Sequence, residues 1–250
     1  MFRTTSTSER KMTKLSVNIN KIATIRNARG GNMPDVTKAA LNCEDFGAEG
    51  ITVHPRPDER HIRYSDVRKI RPLIRTEFNI EGNPIPSFID LVSEVVPDQV
   101  TLVPDAHDAI TSNAGWDTIK NREFLAEVCA EFKSKGIRTS IFVDPDPRMA
   151  EAAALCGCDR VELYTEAYAS MFPHNPEAAI LPFIQTAEAA RDAGLAVNAG
   201  HDLNLDNLEY FIHNIPWTAE VSIGHAIICD ALYMGLEPTI QAYLSKVKNF

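Results

Sequence analysis

Histidines, glutamates and asparagines recur in short motifs able to move protons or hold anions: VNIN (17–20), GITVH (50–54), NIEG (79–82), VELYT (161–165), NAGHD (198–202) and IGHA (223–226). His54, His201 and His225 carry the side chain whose ordinary pKa lies near neutrality, the usual general acid or base. A lone histidine is more often a hydrogen-bonded structural group, so the weight rests on three of them recurring in equivalent contexts. Glu81 and Glu162 stand between apolar neighbours, where an isolated carboxylate costs several kcal/mol unless it is paired or holds its proton. At Glu162 a structural ion pair and a base tuned by burial both remain open. Glu81, nearer the end of its apolar run, reads as a proton acceptor.

Three further features suit phosphate esters. IRNARGGN (25–32) sets Arg26 and Arg29 about Gly30 and Gly31, and HPRPDERH (54–61) groups Arg56, Arg60 and His61 among stiffening prolines. The bland readings are an exposed basic turn and a solvated charged loop. The third combines NAGHD with IGHA, where Gly224 permits close backbone approach and a helix start supplies free N–H groups for an anion. Separate anion sites allow two phosphorylated moieties. The stretch from Asp105 to Asn121 is long for a connection and reads as a lid or binding loop, in which Thr111 and Asn113 are donors. Schiff-base enzymes need a lysine of depressed pKa inside the site. Lys21 is the one lysine beside a strand end, so an imine here takes its amine more readily from a substrate. No HxH or CxxC cluster is present, and the reading calls for no metal and no cofactor.

These residues must be held by repeated elements. Four amphipathic stretches end on glycine (Gly47, Gly136, Gly157, Gly194), and each is followed within a few residues by a β-branched run. The pattern predicts strands near Leu15 to Asn20, Gly50 to His54, Phe78 to Gly82, Gln99 to Pro104, Arg138 to Asp144, Arg160 to Thr165, Ala196 to Gly200 and Glu220 to Gly224. Helices fall between them, as from Pro34 to Phe46 and from Pro147 to Cys156, each opened by proline at its first turn. Eight βα units of about 30 residues each make a single-domain (β/α)8 TIM barrel. The rival, a doubly wound sheet, lacks the GxGxxG that would follow a strand. In the barrel the C-terminal strand ends carry the chemistry, and the motifs above occupy those ends.

The chain has 250 residues and a formal charge of −9, so its field repels nucleic acid, and an anionic substrate needs a local positive site. Its five cysteines show no zinc-ligand spacing and read as reduced thiols. No run of about 18 apolar residues is present, and MFRTTSTSERK lacks a signal-like hydrophobic stretch, so a cytoplasmic enzyme is expected. Residues 1–13 read as a disordered polar extension, and 14–250 as the barrel.

With VNINKIATIRNARGGNMPD, GITVHPRPDERHI, FNIEGN, LVPD, VELYTEAYA, VNAGHDLN and SIGHAII in this order, the chain closely resembles the pyridoxine 5′-phosphate synthases from about Leu15 to its C-terminus. The resemblance implies condensation of 1-deoxy-D-xylulose 5-phosphate with 3-amino-2-oxopropyl phosphate. It implies His54 and Glu81 as proton acceptors, His201 as proton donor and Glu162 as transition-state stabiliser. By the same matching Asn18, Arg29, Asp202, Gly224 and His225 bind the amino-ketone phosphate. Asn20, Lys21, Arg56, His61 and Thr111 bind the deoxyxylulose phosphate, and the assembly is a homo-octamer. The chain departs from the family at Asn20-Lys21, where Asp-His is common, and at Asp202, where glycine is common. A carboxylate beside a phosphate repels it, so at Asp202 the backbone N–H is the expected donor. Two other readings compete: a phosphosugar aldolase or isomerase using Lys21, and a phosphometabolite-binding barrel without turnover.

Overall fold

The computed structural model describes residues 12–105 and 114–248. The polar extension read at residues 1–13 therefore lies almost wholly outside the described residues, as do Thr111 and Asn113. Eight strands run β1 (Lys14–Asn18), β2 (Gly50–Val53), β3 (Glu77–Gly82), β4 (Gln99–Leu102), β5 (Arg138–Val143), β6 (Arg160–Leu163), β7 (Ala196–Gly200) and β8 (Thr218–Ile223). Each pairs in parallel with the next and β8 closes on β1, giving a (β/α)8 TIM barrel. All eight expected strands are present.

The local signals explain where the helices start. Pro147 opens the helix Pro147–Leu155, with Asp146 accepting the Arg148 N–H as its N-cap. The helix expected from Pro34 instead begins at Val36, because the Asp35 carboxylate accepts the Lys38 N–H and takes the capping position. The four glycines read as helix ends all have positive φ. Asn20, expected in the first strand, opens the helix Asn20–Asn27. Two helices not anticipated as separate elements follow β8, His225–Met234 and Leu236–Lys248, and a short helix, Glu166–Met171, precedes Pro176–Asp192.

The two faces of the sheet differ. Leu15, Val17, Ile51, Val53, Phe78, Ile80, Val100, Ile141, Val161, Val197 and Val221 belong to the apolar core against the helices. The alternate residues form a hydrogen-bonded interior. The Ser16 and Thr52 hydroxyls lie 2.8 Å apart, Asn79 donates to Thr52 over 3.3 Å, and Thr101 donates to Asn79 over 3.2 Å. Towards the N-terminal end, Arg138 pairs with Glu77 at 2.7 Å and Arg160 with Glu220 at 3.2 Å. The strands thus alternate apolar and polar residues, unlike the continuous apolar runs usual in parallel sheets buried on both faces. Glu81 and Glu162 lie in this polar register, so their apolar sequence neighbours face the helices.

Candidate active site

The C-terminal mouth of the barrel gathers His54, Glu81, Glu162 and His201. His54 follows β2 and is 5% exposed; Glu81 on β3 is 1% exposed, and Glu162 on β6 is fully buried. His54 Nδ1 lies 4.0 Å from Glu81 Oε2, and His201 Nδ1 lies 3.5 Å from Glu162 Oε1. Asn18 Nδ2 donates to Glu81 Oε2 over 3.3 Å, and the Ser222 hydroxyl donates to Glu81 Oε1 over 3.5 Å. Asn20 Oδ1 accepts the backbone N–H of His54 at 2.8 Å. Asn18 and Asn20 therefore support the two proton carriers from the first strand end.

His201 is held unusually. Its backbone has φ 57°, a left-handed conformation that costs a non-glycine residue about 1 kcal/mol or more and clusters at functional sites. Its N–H donates to Ser222 O at 3.2 Å, and its ring centroid lies 4.8 Å from that of Phe142. The preceding Gly200 is required by close approach, since a Cβ there would sit 2.2 Å from Ser222 O. Gly224 is similarly constrained: a Cβ would lie 2.9 Å from Asn18 O.

Electrostatics separate the protonation states. Burial drives the His54 imidazole well below its ordinary value, helped by the charges of Arg56, His61, His201 and Arg60. Burial pushes the Glu81 carboxyl up to about 8, reinforced by the neighbouring Glu162 charge. Burial opposes the charge on His201, but contact with Glu162 and the Glu81 carboxylate outweigh it and carry its pKa up to about 9. Near neutrality the mouth thus holds a neutral imidazole, a carboxyl close to its titration range and an imidazolium. Such spreading of titratable groups is how one site supplies both acid and base.

The loop after β2 is less cationic than its composition suggests. Arg56 is ion-paired with Asp105, Arg60 with Asp58 at 2.6 Å, and Arg26 with Asp66 at 2.8 Å. Arg26 is 1% exposed and also donates to His61 O at 3.1 Å, so it braces this loop from within. Burial and the Arg56 charge lower His61 to about 4, and its ring centroid lies 5.9 Å from that of His54. Beside them an apolar recess of about 100 Å³ is lined by Pro55, Tyr64, Ile85 and Phe88 together with His54 and Arg56.

Other expected residues sit further out. Lys21 and Arg29 are exposed, and among the described residues no hydrogen bond or ion pair joins the Arg29 side chain to the His54 cluster. The exposure of Lys21 does not provide the buried setting that an internal Schiff-base lysine needs. His225 is exposed at the start of its helix, with Nε2 3.5 Å from Cys229 Sγ. The Asp202 N–H, expected to face a phosphate, donates instead to Gly200 O at 2.8 Å and Thr165 Oγ1 at 3.3 Å, because the tight turn after His201 folds it inward. Among the described residues no group of three His, Cys, Asp or Glu side chains could hold a metal ion. Two residues beyond the sequence candidates also reach the site, Asp105 beside His54 and Ser222 beside Glu81. Their signals are the carboxylate following Pro104 at the fourth strand end and the polar register of β8.

A closed parallel barrel whose C-terminal mouth gathers buried imidazoles and carboxyls defines a (β/α)8-barrel enzyme of the acid–base class. The chain belongs to the family described as pyridoxal phosphate biosynthesis protein PdxJ, whose model matches residues 15–249. It is 68% identical over 232 residues to the pyridoxine 5′-phosphate synthase of Bacteroides thetaiotaomicron, covering 93% of this chain and 98% of that protein. The synthase of Cytophaga hutchinsonii is 65% identical over 238 residues, covering 95% of this chain and all of that protein. Among solved structures, 3-keto-L-gulonate-6-phosphate decarboxylase from Vibrio cholerae superposes with TM-score 0.66 at 10% identity, over 96% of this chain and 99% of that one, a likeness of fold alone.

Proposed function

We propose that the protein closes the pyridine ring of pyridoxine 5′-phosphate from 1-deoxy-D-xylulose 5-phosphate and 3-amino-2-oxopropyl phosphate, releasing phosphate and water. Membership of the family supports the overall reaction. The observation that carries the chemistry is the convergence of buried His54 and Glu81 with His201 and Glu162 at one mouth, where burial holds His54 neutral and Glu162 favours a charged His201.

In this reading the substrate amine condenses with the ketone of the partner substrate, so no protein lysine is needed. His54 keeps its lone pair at neutral pH and accepts a proton from the condensing substrates. Glu81 can take up or release a proton near pH 8 and faces His54, so it acts as the second acceptor. His201 donates to a departing oxygen, and Glu162 steadies the imidazolium while its charge develops or is lost. Holding two flexible phosphate esters in register supplies much of the remaining acceleration. The amino-ketone phosphate lies against Asn18, Gly224 and His225, with Arg29 and Asp202 nearby. The deoxyxylulose phosphate meets Asn20, Lys21, Arg56, His61 and Thr111. The Asp202 N–H must leave its inward bonds if it is to serve a phosphate.

The reaction is tested by mixing the purified protein with both substrates and measuring pyridoxine 5′-phosphate. Product formed by the wild type and lost in His54→Ala supports the reading. No product, or unchanged turnover in the variant, refutes it. The wider setting we propose is a cytoplasmic homo-octamer, a reading that scattering-derived mass in solution tests. Its five cysteines are free thiols, in keeping with a reducing compartment.

A further inference from the structure

His54 has two ring nitrogens and a carboxyl on either side, and the two sides are not equivalent. Nδ1 faces Glu81 Oε2 at 4.0 Å, while Nε2 faces Asp105 Oδ2 at 3.5 Å. Asp105 is 9% exposed and is tied to two neighbouring strand ends. Its Oδ2 is ion-paired with Arg56 from the loop after β2, and its backbone carbonyl accepts Asn83 Nδ2 at 2.7 Å from the loop after β3. The Val103 N–H, two residues before it, donates to Gly82 O at 3.0 Å.

We propose that Asp105 is a positioning residue for His54: it holds the Nε2–H edge of the ring, leaving Nδ1 as the lone-pair nitrogen turned toward Glu81, while Arg56 offsets its charge. The proposal rests on His54 as the proton acceptor. The tautomer of a neutral imidazole is set by the hydrogen bond its other nitrogen makes. Of the two sides, Asp105 offers the nearer acceptor, and its negative charge suits an N–H. Glu81 is the poorer acceptor, because its carboxyl retains a proton up to about pH 8. A protonated Glu81 instead turns toward the lone pair on Nδ1, 4.0 Å away. Burial, with the Arg56 charge beside it, keeps the nearby carboxylate from holding His54 as an imidazolium. Among the described residues, the charged and titratable groups around the ring are Arg56, Arg60 and His61 after β2, Glu81 on β3, Asp105 after β4 and His201 after β7.

The test is histidine-resolved ¹⁵N NMR of the full chain, with kinetics of Asp105→Ala and Asp105→Asn. In the wild type near pH 7, His54 Nε2 should show a protonated-nitrogen signal and Nδ1 a lone-pair signal. Because His54 Nε2 and Arg56 both approach Oδ2, the single oxygen of asparagine can take its place. Asp105→Asn should therefore keep the tautomer and most of kcat. Asp105→Ala should mix the tautomers and lower kcat about 10- to 100-fold, with smaller changes in KM for either substrate. Protonation of Nδ1 in the wild type, or kcat within about twofold of wild type in Asp105→Ala, would overturn the proposal. If Asp105→Ala does not fold, the wild-type tautomer and Asp105→Asn still decide. The NMR result is independent of turnover, so loss of the base assignment through His54→Ala is distinguishable from loss of this one.

Discussion

Replacing Glu81 with glutamine tests whether a buried carboxyl in this barrel holds its proton at neutral pH. The Glu81 carboxyl lies at about 8 against an ordinary 4.5, so between those values the native protein keeps a proton that the unfolded chain releases. Stability must then fall as pH rises across that window, by about 1.4 kcal/mol per pH unit, or on the order of 5 kcal/mol in all. His201, raised to about 9 from 6.5, contributes with the same sign: its stabilisation is full below 6.5 and is lost as pH rises through 9. Glutamine removes the Glu81 part without removing its hydrogen bonds, since it can accept from Asn18 and donate to Ser222, the two present partners. Urea unfolding of wild type and Glu81→Gln from pH 5 to 9 reads the difference. The variant should match the wild type near pH 5 and exceed it near pH 9, while ring closure falls about 100-fold or more. Parallel stability curves would refute the protonation argument, and undiminished turnover would refute the catalytic one.

His54→Ala should abolish ring closure and leave binding of each substrate measurable by calorimetry, because His54 is not among the residues proposed to hold either phosphate. The turnover rate should decline as pH rises through about 9, where His201 loses its proton, and a rate–pH profile checks this. Gly224→Ala would force a Cβ to 2.9 Å from Asn18 O. It should raise KM for the amino-ketone phosphate by roughly tenfold, about 1.4 kcal/mol, read from initial rates. Asp66→Ala leaves the Arg26 guanidinium buried without its 2.8 Å partner and should destabilise the fold by about 3–5 kcal/mol, measured by urea unfolding.

Much of the architecture was legible because its local rules are short-range. Glycine after each of four helices and an apolar run after each glycine locate helix-to-strand junctions without knowledge of the tertiary fold. Strand ends then identify the mouth, and His54, Glu81, Glu162 and His201 do converge there. Pairing was not legible, because it depends on residues distant in the chain. Arg26, Arg56 and Arg60 read as a positive surface, yet each meets a carboxylate, at Asp66, Asp105 and Asp58. The Asp202 N–H was likewise read as open, and a turn of backbone consumes it. The polar interior was visible in retrospect: KLSVN, EFNIEG, QVTL and EVSI alternate with period two. That alternation assigns Glu81 and Glu162 to the interior face, opposite the apolar neighbours that made them look isolated.

Acid–base catalysis at this mouth requires a neutral His54 and a charged His201 at the same pH. Histidine-resolved NMR titration of the wild-type protein measures this directly. His54 should remain neutral throughout the neutral range, and His201 should keep its proton until about pH 9. An imidazolium at His54 near pH 7, or loss of the His201 proton near 6.5, would contradict the assignment of acceptor and donor.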